Sequence, residues 1–230
     1  MSILVIAAHP DDEILGCAGT LAKASKNHDI HILIMGEGIT SRFDKKEAHK
    51  DKIEKLHLDV LNASKMLGVN EPSILNLPDN KFDTVPFLEI VKLVEKSIRQ
   101  HRPKVIFTHS AGDLNIDHSI VHRAALTATR PMSDCFVKEI YAFEIPSSTE
   151  WSFNQFVSSF NPNYYVDITD TLEIKLKVCE IYETEIRPYP HPRSIEAVKA
   201  LAHFRGSTAG LKAAEAYKVI RIIGKDFLSV

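Results

Sequence analysis

Four short apolar runs, each followed by a segment with helical periodicity, are the feature that most constrains how this chain can fold. The runs are rich in β-branched residues and cover residues 3–7, 30–35, 73–77 and 105–108. Such an alternation of strands and helices predicts a parallel sheet with helices on both of its faces. Because connections between parallel strands are right-handed, the carboxyl ends of these strands should share one edge of the sheet.

Further periodic segments extend this pattern along the chain. We predict four helices over residues 14–22, 45–67, 87–98 and a segment that runs towards Thr129, two more strands over 138–145 and 164–168, and two last helices over 171–185 and 194–204. No internal repeat, low-complexity tract or linker interrupts the pattern. The sequence therefore predicts an α/β fold, a Rossmann-like and mostly parallel sheet in a single domain spanning residues 1–230.

Composition excludes several classes of protein. The chain has 230 residues, of which 44% are hydrophobic, enough for a sizeable core. Its formal net charge of −2 gives no electrostatic preference for nucleic acid or for an anionic membrane surface. No apolar run reaches the roughly 18 residues of a transmembrane segment, and we see no secretory signal. Cys17, Cys135 and Cys179 lack metal or disulfide spacing, which predicts reduced thiols in a cytoplasmic protein.

The turn after the first run carries a high density of metal-binding side chains. It reads Ala8-His9-Pro10-Asp11-Asp12-Glu13, between a buried strand and a helix. In an open α/β sheet such a turn faces the crevice where ligands bind. Pro10 stiffens the turn because its φ is fixed and it restricts the residue before it. An imidazole and two adjacent carboxylates on a stiff turn indicate a metal site.

A second polar stretch follows the fourth run and contains Asp117-His118. Parallel strands would bring it to the same edge as His9 and Asp12. Two imidazoles and one carboxylate suit zinc and leave a fourth position for water, whose pKa zinc lowers towards ~7. Asp11 adjoins Asp12 but should project differently, which makes it a candidate general base.

Simpler interpretations of these residues remain open. Asp12 is also a good N-cap, and the simpler alternative for His118 is a polar residue at a helix start. Glu13 is most simply a favourable charge in the first turn of a helix. His109, at the end of the fourth run, and His122, one turn after His118, are rival metal ligands.

The hexapeptide at residues 8–13, with Asp117-His118 opening a later helix, resembles the PIG-L/LmbE family of zinc-dependent de-N-acetylases. The resemblance covers most of the chain and implies the same Rossmann-like topology. It implies removal of the acetyl group from an N-acetylated amino sugar or its conjugate, with release of acetate. Relatives are often homo-oligomers, which is the expectation here. Residue by residue, the resemblance assigns zinc to His9, Asp12 and His118, the general base to Asp11, and the orientation of a ligand to Asp117.

One departure from the family pattern concerns the general acid. Many members carry a histidine three residues before the position of His118, and this histidine assists the tetrahedral intermediate. This chain has Asn115 there instead. An asparagine amide can donate a hydrogen bond to an oxyanion but cannot act as a general acid. Either Asp11 returns its proton to the leaving amine, or His191, held between two prolines, supplies one.

Candidate substrate-binding residues surround these motifs. The family often has an arginine early in the helix that ends at Leu67; Leu56 stands about there, and Arg42 is the candidate replacement. The other candidates, each of which is also explained by turn formation or packing, are Asn115, Asp113, Trp151 and Arg193. They predict a hydroxyl-rich small molecule with an anionic group near Arg193.

Two other functions fit parts of the sequence. A catalytically silent relative that binds a sugar conjugate would explain the missing histidine. A Mg²⁺-binding signalling domain of the flavodoxin-like type would use Asp79 as phosphoacceptor, but it leaves His9 and Asp117-His118 unexplained. A dinucleotide-binding domain is excluded because no GxGxxG follows the first strand.

Overall fold

The computed structural model describes residues 1–42, 50–156 and 159–224, apart from the side chain of Arg42. Within these residues the chain forms a seven-stranded sheet of order β3-β2-β1-β4-β5-β7-β6. Strands β1 to β5 run parallel, whereas β7 is antiparallel to both of its neighbours. The strands are β1 (Ser2–Ala7), β2 (Asp29–Gly36), β3 (Ser73–Leu77), β4 (Val105–His109), β5 (Glu139–Phe143), β6 (Tyr164–Asp167) and β7 (Ala214–Ile222).

Helices cover both faces of the sheet, which confirms the predicted α/β architecture. They are α1 (Asp12–Ala24), α2 (Lys50–Leu67), α3 (Phe87–His101), α4 (Ile116–Ala128), α5 (Leu172–Ile181) and α6 (Ile195–Thr208). One apolar cluster lies between the sheet and α1, α2, α5 and α6, and a second lies under α3 and α4. None of the helices in the described ranges has the length and apolar character needed to cross a bilayer.

Several sequence predictions need correction. The strand predicted over 138–145 is shorter and covers Glu139–Phe143, and the helix predicted to reach residue 185 ends at Ile181. That helix ends early because Tyr182 leaves the helical conformation and turns its hydroxyl to Glu13, at 2.5 Å. The last strand, β7, was not predicted. The start of the second helix at Lys45 lies outside the described residues, within which α2 begins at Lys50.

The strand order places two loops side by side at the carboxyl edge. The chain adds β2 and β3 on one side of β1 and then returns to add β4 and β5 on the other. Val5 of β1 lies opposite Phe107 of β4, so the turn after β1 adjoins the loop after β4. A reversal of strand order of this kind opens a crevice at the carboxyl ends of the strands.

The turn after β1 is tied to the first turn of α1. The N–H of His9 donates to Asp12 Oδ2 at 2.8 Å. Further along the helix, a Cβ built on Gly16 would come within 2.6 Å of Phe143 in β5. A glycine is therefore needed for α1 to approach the sheet this closely, and the approach fixes the turn against the sheet.

A buried ion pair joins α1, α5 and β7. Lys175 Nζ donates to Glu215 Oε1 at 2.6 Å, and each side chain is 5% exposed. Lys175 also donates to the carbonyl oxygen of Leu15 at 2.8 Å, while Glu215 accepts the N–H groups of Gly19 and Thr20 at 2.9 and 2.7 Å. Both charges are thus satisfied by each other and by the backbone of α1.

We predict that Lys175→Met lowers the free energy of unfolding by about 3–5 kcal/mol, because it leaves the Glu215 carboxylate buried without a cation. Urea unfolding measures the change. Lys177→Met, at an exposed position of the same helix, is the matched control and should have little effect. Equal stability of the two variants would show that the buried pair does not stabilise the fold.

Candidate metal centre

The carboxylate of Asp12 lies among three imidazole rings at the carboxyl edge of the sheet. Asp12 Oδ2 is 3.4 Å from His9 Nδ1, 3.3 Å from His118 Nε2 and 3.4 Å from His109 Nε2. Asp12 Oδ1 is buried and has no hydrogen-bond partner among the described residues. A buried carboxylate oxygen without a donor carries a desolvation cost, which a cation bound beside it would remove.

His9, Asp12 and His118 offer three ligand atoms that lie within 4.8 Å of one another. Two imidazole nitrogens and one carboxylate oxygen are a donor set that zinc takes in catalytic sites, so these residues fit that metal. All three side chains are buried. The turn after β1 and the start of α4 therefore meet, as the parallel sheet predicts.

A second group of possible ligands shares His9 and adds Asp79 and Asp117. Its carboxylates already accept backbone N–H groups, from Ser41 to Asp79 Oδ2 at 2.9 Å and from Asn80 to Asp117 Oδ2 at 2.7 Å. These bonds explain why the two carboxylates are buried. The group that contains the unpartnered Asp12 oxygen is thus the better metal site.

In His9 and His118, the ring nitrogen on the side away from Asp12 faces a second buried carboxylate. His9 Nε2 is 2.9 Å from Asp117 Oδ2, and His118 Nδ1 is 3.1 Å from Asp113 Oδ1. Asp113 also accepts the hydroxyl groups of Ser148 and Thr149. Carboxylates in this position fix the orientation of ligand imidazoles and raise their basicity.

His109 and His122, the rival ligands, use their ring nitrogens elsewhere. The N–H of Ala8 donates to His109 Nε2 at 2.8 Å, so this nitrogen is an acceptor already in use. The His109 ring stacks on His118 with ring centroids 3.9 Å apart. His122 Nδ1 faces the carbonyl oxygen of His109 at 2.8 Å. Both histidines thus support the wall behind His118.

Charge interactions shift the pKa values at this centre in opposite directions. Burial opposes the charged form of His9, but the hydrogen bonds with Asp117 and Asp12 outweigh burial and raise the pKa of His9 to about 10. For His118, burial is likewise outweighed by Asp12 and Asp113, and its pKa rises to about 9. Without a metal, the carboxylates therefore hold protons on both rings, and a divalent cation would take the place of those two charges.

Burial and neighbouring charges also shift the pKa values of Asp12, Asp113 and His109. Burial acts to raise the pKa of Asp12, but the charged imidazole of His118 and the hydrogen bond with His9 hold it well below its usual range. Burial also opposes ionisation of Asp113, yet the neighbouring His118 lowers the pKa of Asp113 to about 2. In His109, burial and the nearby His118 hold the pKa well below its usual value, which leaves this ring neutral.

Asp11 lies beside the three-residue group and faces Arg193. Its φ is +105°, in the left-handed region that residues with a Cβ rarely adopt. The N–H of Asp11 donates to Glu13 Oε2 at 3.1 Å, and Arg193 Nη1 donates to Asp11 Oδ2 at 2.6 Å. Burial raises the pKa of Asp11 well above its usual value, and Arg193 acts against that rise. The unusual backbone conformation turns Asp11 away from Asp12.

A cleft with about 400 Å³ of empty volume opens over His9 and Asp11. Its lining residues come from the loops after β1, β2, β3 and β4, from α2 and from the segment after α5; they are His9, Pro10, Asp11, Gly38, Ile39, Ser41, Leu56, Asp79, Asn80, Asn115, Glu185 and Arg193. Asn115 Oδ1 accepts the N–H of Asp117 at 2.9 Å and so caps α4, while its Nδ2 donates to Asn80 at 3.1 Å.

Three other residues predicted at the site do not line the cleft. Asp113 is behind His118 and does not line the cleft. Trp151 meets the ring of His191 edge to face, with centroids 5.5 Å apart, and His191 Nδ1 accepts the N–H of Arg193 at 3.1 Å. The side chain of Arg42 lies outside the described part of the chain.

The interpretation of the sequence gave Asp79, Asn80 and Glu185 no role in a deacetylase site, although all three line the cleft. Asp79 and Asn80 follow β3 at the same edge as His9, so the rule that located His118 would also have indicated them. Asn80 has a φ of +53°, and its Nδ2 donates to Asp79 Oδ1 at 3.0 Å. Glu185 comes within 3.6 Å of Arg193. No local pattern marks Glu185, because the loop that carries it has no regular structure.

The model of the PIG-L family, described as GlcNAc-PI de-N-acetylase, matches residues 4–129. The chain belongs to the PIG-L family. The matched segment contains the turn at residues 8–13 and Asp117-His118, so the resemblance predicted from these motifs is confirmed.

Curated relatives of this PIG-L family protein have deacetylase names. The uncharacterized deacetylase YaiS of Escherichia coli K12 is 28% identical over 169 residues, which cover 71% of this chain and 84% of the relative. The diacetylchitobiose deacetylase of Thermococcus kodakarensis is 23% identical over 234 residues, which cover 99% of this chain and 85% of that protein.

Solved structures share the fold. The N,N'-diacetylchitobiose deacetylase of Pyrococcus horikoshii aligns with a TM-score of 0.76 and 21% identity over 96% of this chain and 84% of its own. The 4-carboxy-2-hydroxymuconate hydratase GalB of Pseudomonas putida KT2440 aligns with a TM-score of 0.77 and 19% identity over 99% of both chains. The fold alone therefore does not select the reaction, which the site residues must decide.

We predict that Asp113→Asn weakens zinc binding about 10- to 100-fold, because it removes the carboxylate that faces the outer nitrogen of His118. Competition with a chromogenic chelator measures the affinity. Asp83→Asn, at an exposed position, is the control and should bind zinc as the wild type does. An unchanged affinity in Asp113→Asn would show that Asp113 does not support a metal ligand.

The raised pKa values of His9 and His118 predict how the stability of the metal-free protein depends on pH. A histidine whose pKa is raised by folding contributes stability that is fully present below its unfolded pKa, 6.5, and is lost as the pH rises through its folded pKa, here about 9 to 10. The free energy of unfolding should therefore fall as the pH is raised from neutrality through this range. Urea titrations at a series of pH values measure the effect.

The control for this pH dependence is His118→Gln, which removes one of the two titrating rings. Its stability should fall less over the same pH range. A wild-type protein whose metal-free stability stays constant or rises with pH would contradict cationic imidazoles at positions 9 and 118.

Proposed function

We propose that this protein is a zinc-dependent N-deacetylase that removes the acetyl group from an N-acetylated amino sugar or its conjugate and releases acetate. The observation that carries the proposal is the buried Asp12 carboxylate, with one oxygen between the imidazoles of His9 and His118 and the other without a partner. The deacetylase names of the curated relatives support the same reaction.

In this proposal His9, Asp12 and His118 hold the metal. When bound, zinc supplies a Lewis acid and lowers the pKa of a water molecule towards ~7. Asp117 and Asp113 keep the two rings oriented through the nitrogens that face away from Asp12, at 2.9 and 3.1 Å.

Asp11 is the proposed general base. Its carboxylate lines the cleft beside His9, where it can accept the proton of the attacking water as the new C–O bond forms. Arg193, at 2.6 Å, favours the ionised carboxylate that a base requires and fixes the position of one of its oxygens. The side chain of Asp11 is 4% exposed, which limits competition from bulk water for the same hydrogen bond.

Asp11 is also the proposed general acid. The C–N bond breaks as the amine takes a proton, and Asp11 holds the proton that it took from water. Asn115 offers only amide N–H groups, one of which already donates to Asn80. His191 is less suited, because one ring nitrogen accepts the N–H of Arg193 and the ring contacts Trp151.

The other functions considered from the sequence have less support. A signalling domain would need Asp79 as an accessible phosphoacceptor, but Asp79 is 5% exposed and accepts hydrogen bonds from Ser41 and Asn80. A catalytically silent sugar-binding relative gives no reason for the Arg193-oriented carboxylate of Asp11 in the cleft. Acetate release separates this alternative from the deacetylase.

We predict that Asp11→Asn lowers kcat for acetate release about 10²- to 10⁴-fold, the usual scale of general acid–base effects. Zinc content should stay at one ion per chain, because Asp11 is not among the three ligands. A panel of N-acetyl sugars, with acetate measured by a coupled assay and zinc by elemental analysis, tests both points.

The control is Asp170→Asn, an exposed acidic residue that should keep wild-type turnover. Wild-type activity in Asp11→Asn would contradict its role as the base. A zinc-loaded wild type that releases no acetate from any sugar of the panel would contradict the proposed function itself.

A further inference from the structure

We infer that the cleft selects uncharged N-acetyl sugars and disfavours conjugates that carry a phosphate or carboxylate group. The inference rests on the proposed function and specifies its substrate class. The inferred substrate differs from the one that the sequence alone predicted, which had an anionic group near Arg193. Three features support the inference: the partners of Arg193, the hydrogen-bonding groups of the other lining residues, and the balance of charge among the described residues that line the cleft.

The guanidinium of Arg193 is already bound to protein groups. It is the one arginine or lysine among the described residues that line the cleft. Its Nη1 is 2.6 Å from Asp11 and 3.6 Å from Glu185, and its Nε donates to Ser147 Oγ at 2.8 Å. An anionic substrate group that approached this cation would lie beside two carboxylates, so Arg193 is a poor anion site.

Four other lining residues, Ser41, Asp79, Asn80 and Asn115, present groups that recognise hydroxyls. Asn80 donates from Nδ2 to Asp79 and to Ser41, at 3.0 and 3.1 Å, and its Oδ1 accepts from Asn115 at 3.1 Å. Carboxylate and amide oxygens accept hydrogen bonds from sugar hydroxyls, and amide N–H groups donate to them. This chain of side chains is held rigid by its own hydrogen bonds, which lowers the entropic cost of binding a sugar.

The described residues that line the cleft carry more carboxylates than cations. Asp11, Asp79 and Glu185 are the carboxylates, and Arg193 is the one guanidinium among these residues. A divalent cation at the metal centre would not reverse this balance, because Asp12 and the two buried carboxylates behind the histidines, Asp113 and Asp117, already face it. A phosphate or carboxylate in the cleft would thus meet like charge, which costs binding free energy.

The test compares N-acetylglucosamine derivatives with and without an anionic group. The pairs are N-acetylglucosamine against its 6-phosphate, and the methyl glycoside against the glycoside of malate. We expect kcat/KM to be at least about tenfold lower for the anionic member of each pair, with the difference shrinking as salt is added, because salt screens like charges.

Glu185→Gln is the decisive variant and Glu183→Gln its matched control. Removing the charge at residue 185 should reduce the discrimination against the anionic sugars. The side chain of Glu183 is 76% exposed and lies 3.7 Å from Lys55. The Glu183→Gln substitution should therefore leave the discrimination unchanged. Hydrolysis of the anionic members at equal or higher kcat/KM would overturn the inference while leaving the deacetylase intact.

Product binding tests the inference without turnover. Calorimetry with glucosamine and glucosamine 6-phosphate should give the weaker affinity for the phosphate, including in a protein that releases no acetate. Tighter binding of glucosamine 6-phosphate would overturn the inference whatever the activity. Absence of acetate release from every sugar, with glucosamine still preferred, would reject the proposed function and keep the charge selection.

Discussion

One buried carboxylate determines the organisation of this molecule's carboxyl edge. Asp12 has a ring nitrogen of each of three histidines within 3.4 Å, and burial makes its negative charge costly unless cations balance it. His109 is held neutral, so His9 and His118 must supply the balance, either as imidazolium rings or as the ligands of a cation. The same two rings each face a second carboxylate on the side away from Asp12.

The fold makes this concentration of charge possible through its strand order. The order in which strands are added to the sheet reverses between β1 and β4. The turn after β1 and the start of α4 therefore meet over the same crevice. Asp117 then links α4 to the loop after β3, by accepting the N–H groups of Asn80 and Phe82. Helix α4 and the loop after β3 are thus connected through polar groups at the edge as well as through the apolar core.

Local patterns in the sequence predicted most of the strands and helices and the two loops that form the candidate metal centre. Pairings between residues far apart in the chain could not be predicted. The β1 turn and His118 were located because parallel strands end at one edge, and the strand over Ser73–Leu77 was predicted to the residue. β7 was missed because its buried Glu215 breaks the apolar pattern, and Lys175 and the N–H groups of Gly19 and Thr20, which bind this carboxylate, are 40 or more residues away. Asp11 and Arg193 are likewise 182 residues apart, so their contact has no local signal.

X-ray absorption spectroscopy of the zinc-loaded protein tests the central claim most directly. The account predicts a zinc ion with two imidazole nitrogens and oxygen donors at about 2.0–2.2 Å, with the imidazole signal reduced in His9→Ala and in His118→Ala. A zinc environment without imidazole, or one that stays the same in both variants, would contradict a metal centre formed by the β1 turn and the start of α4.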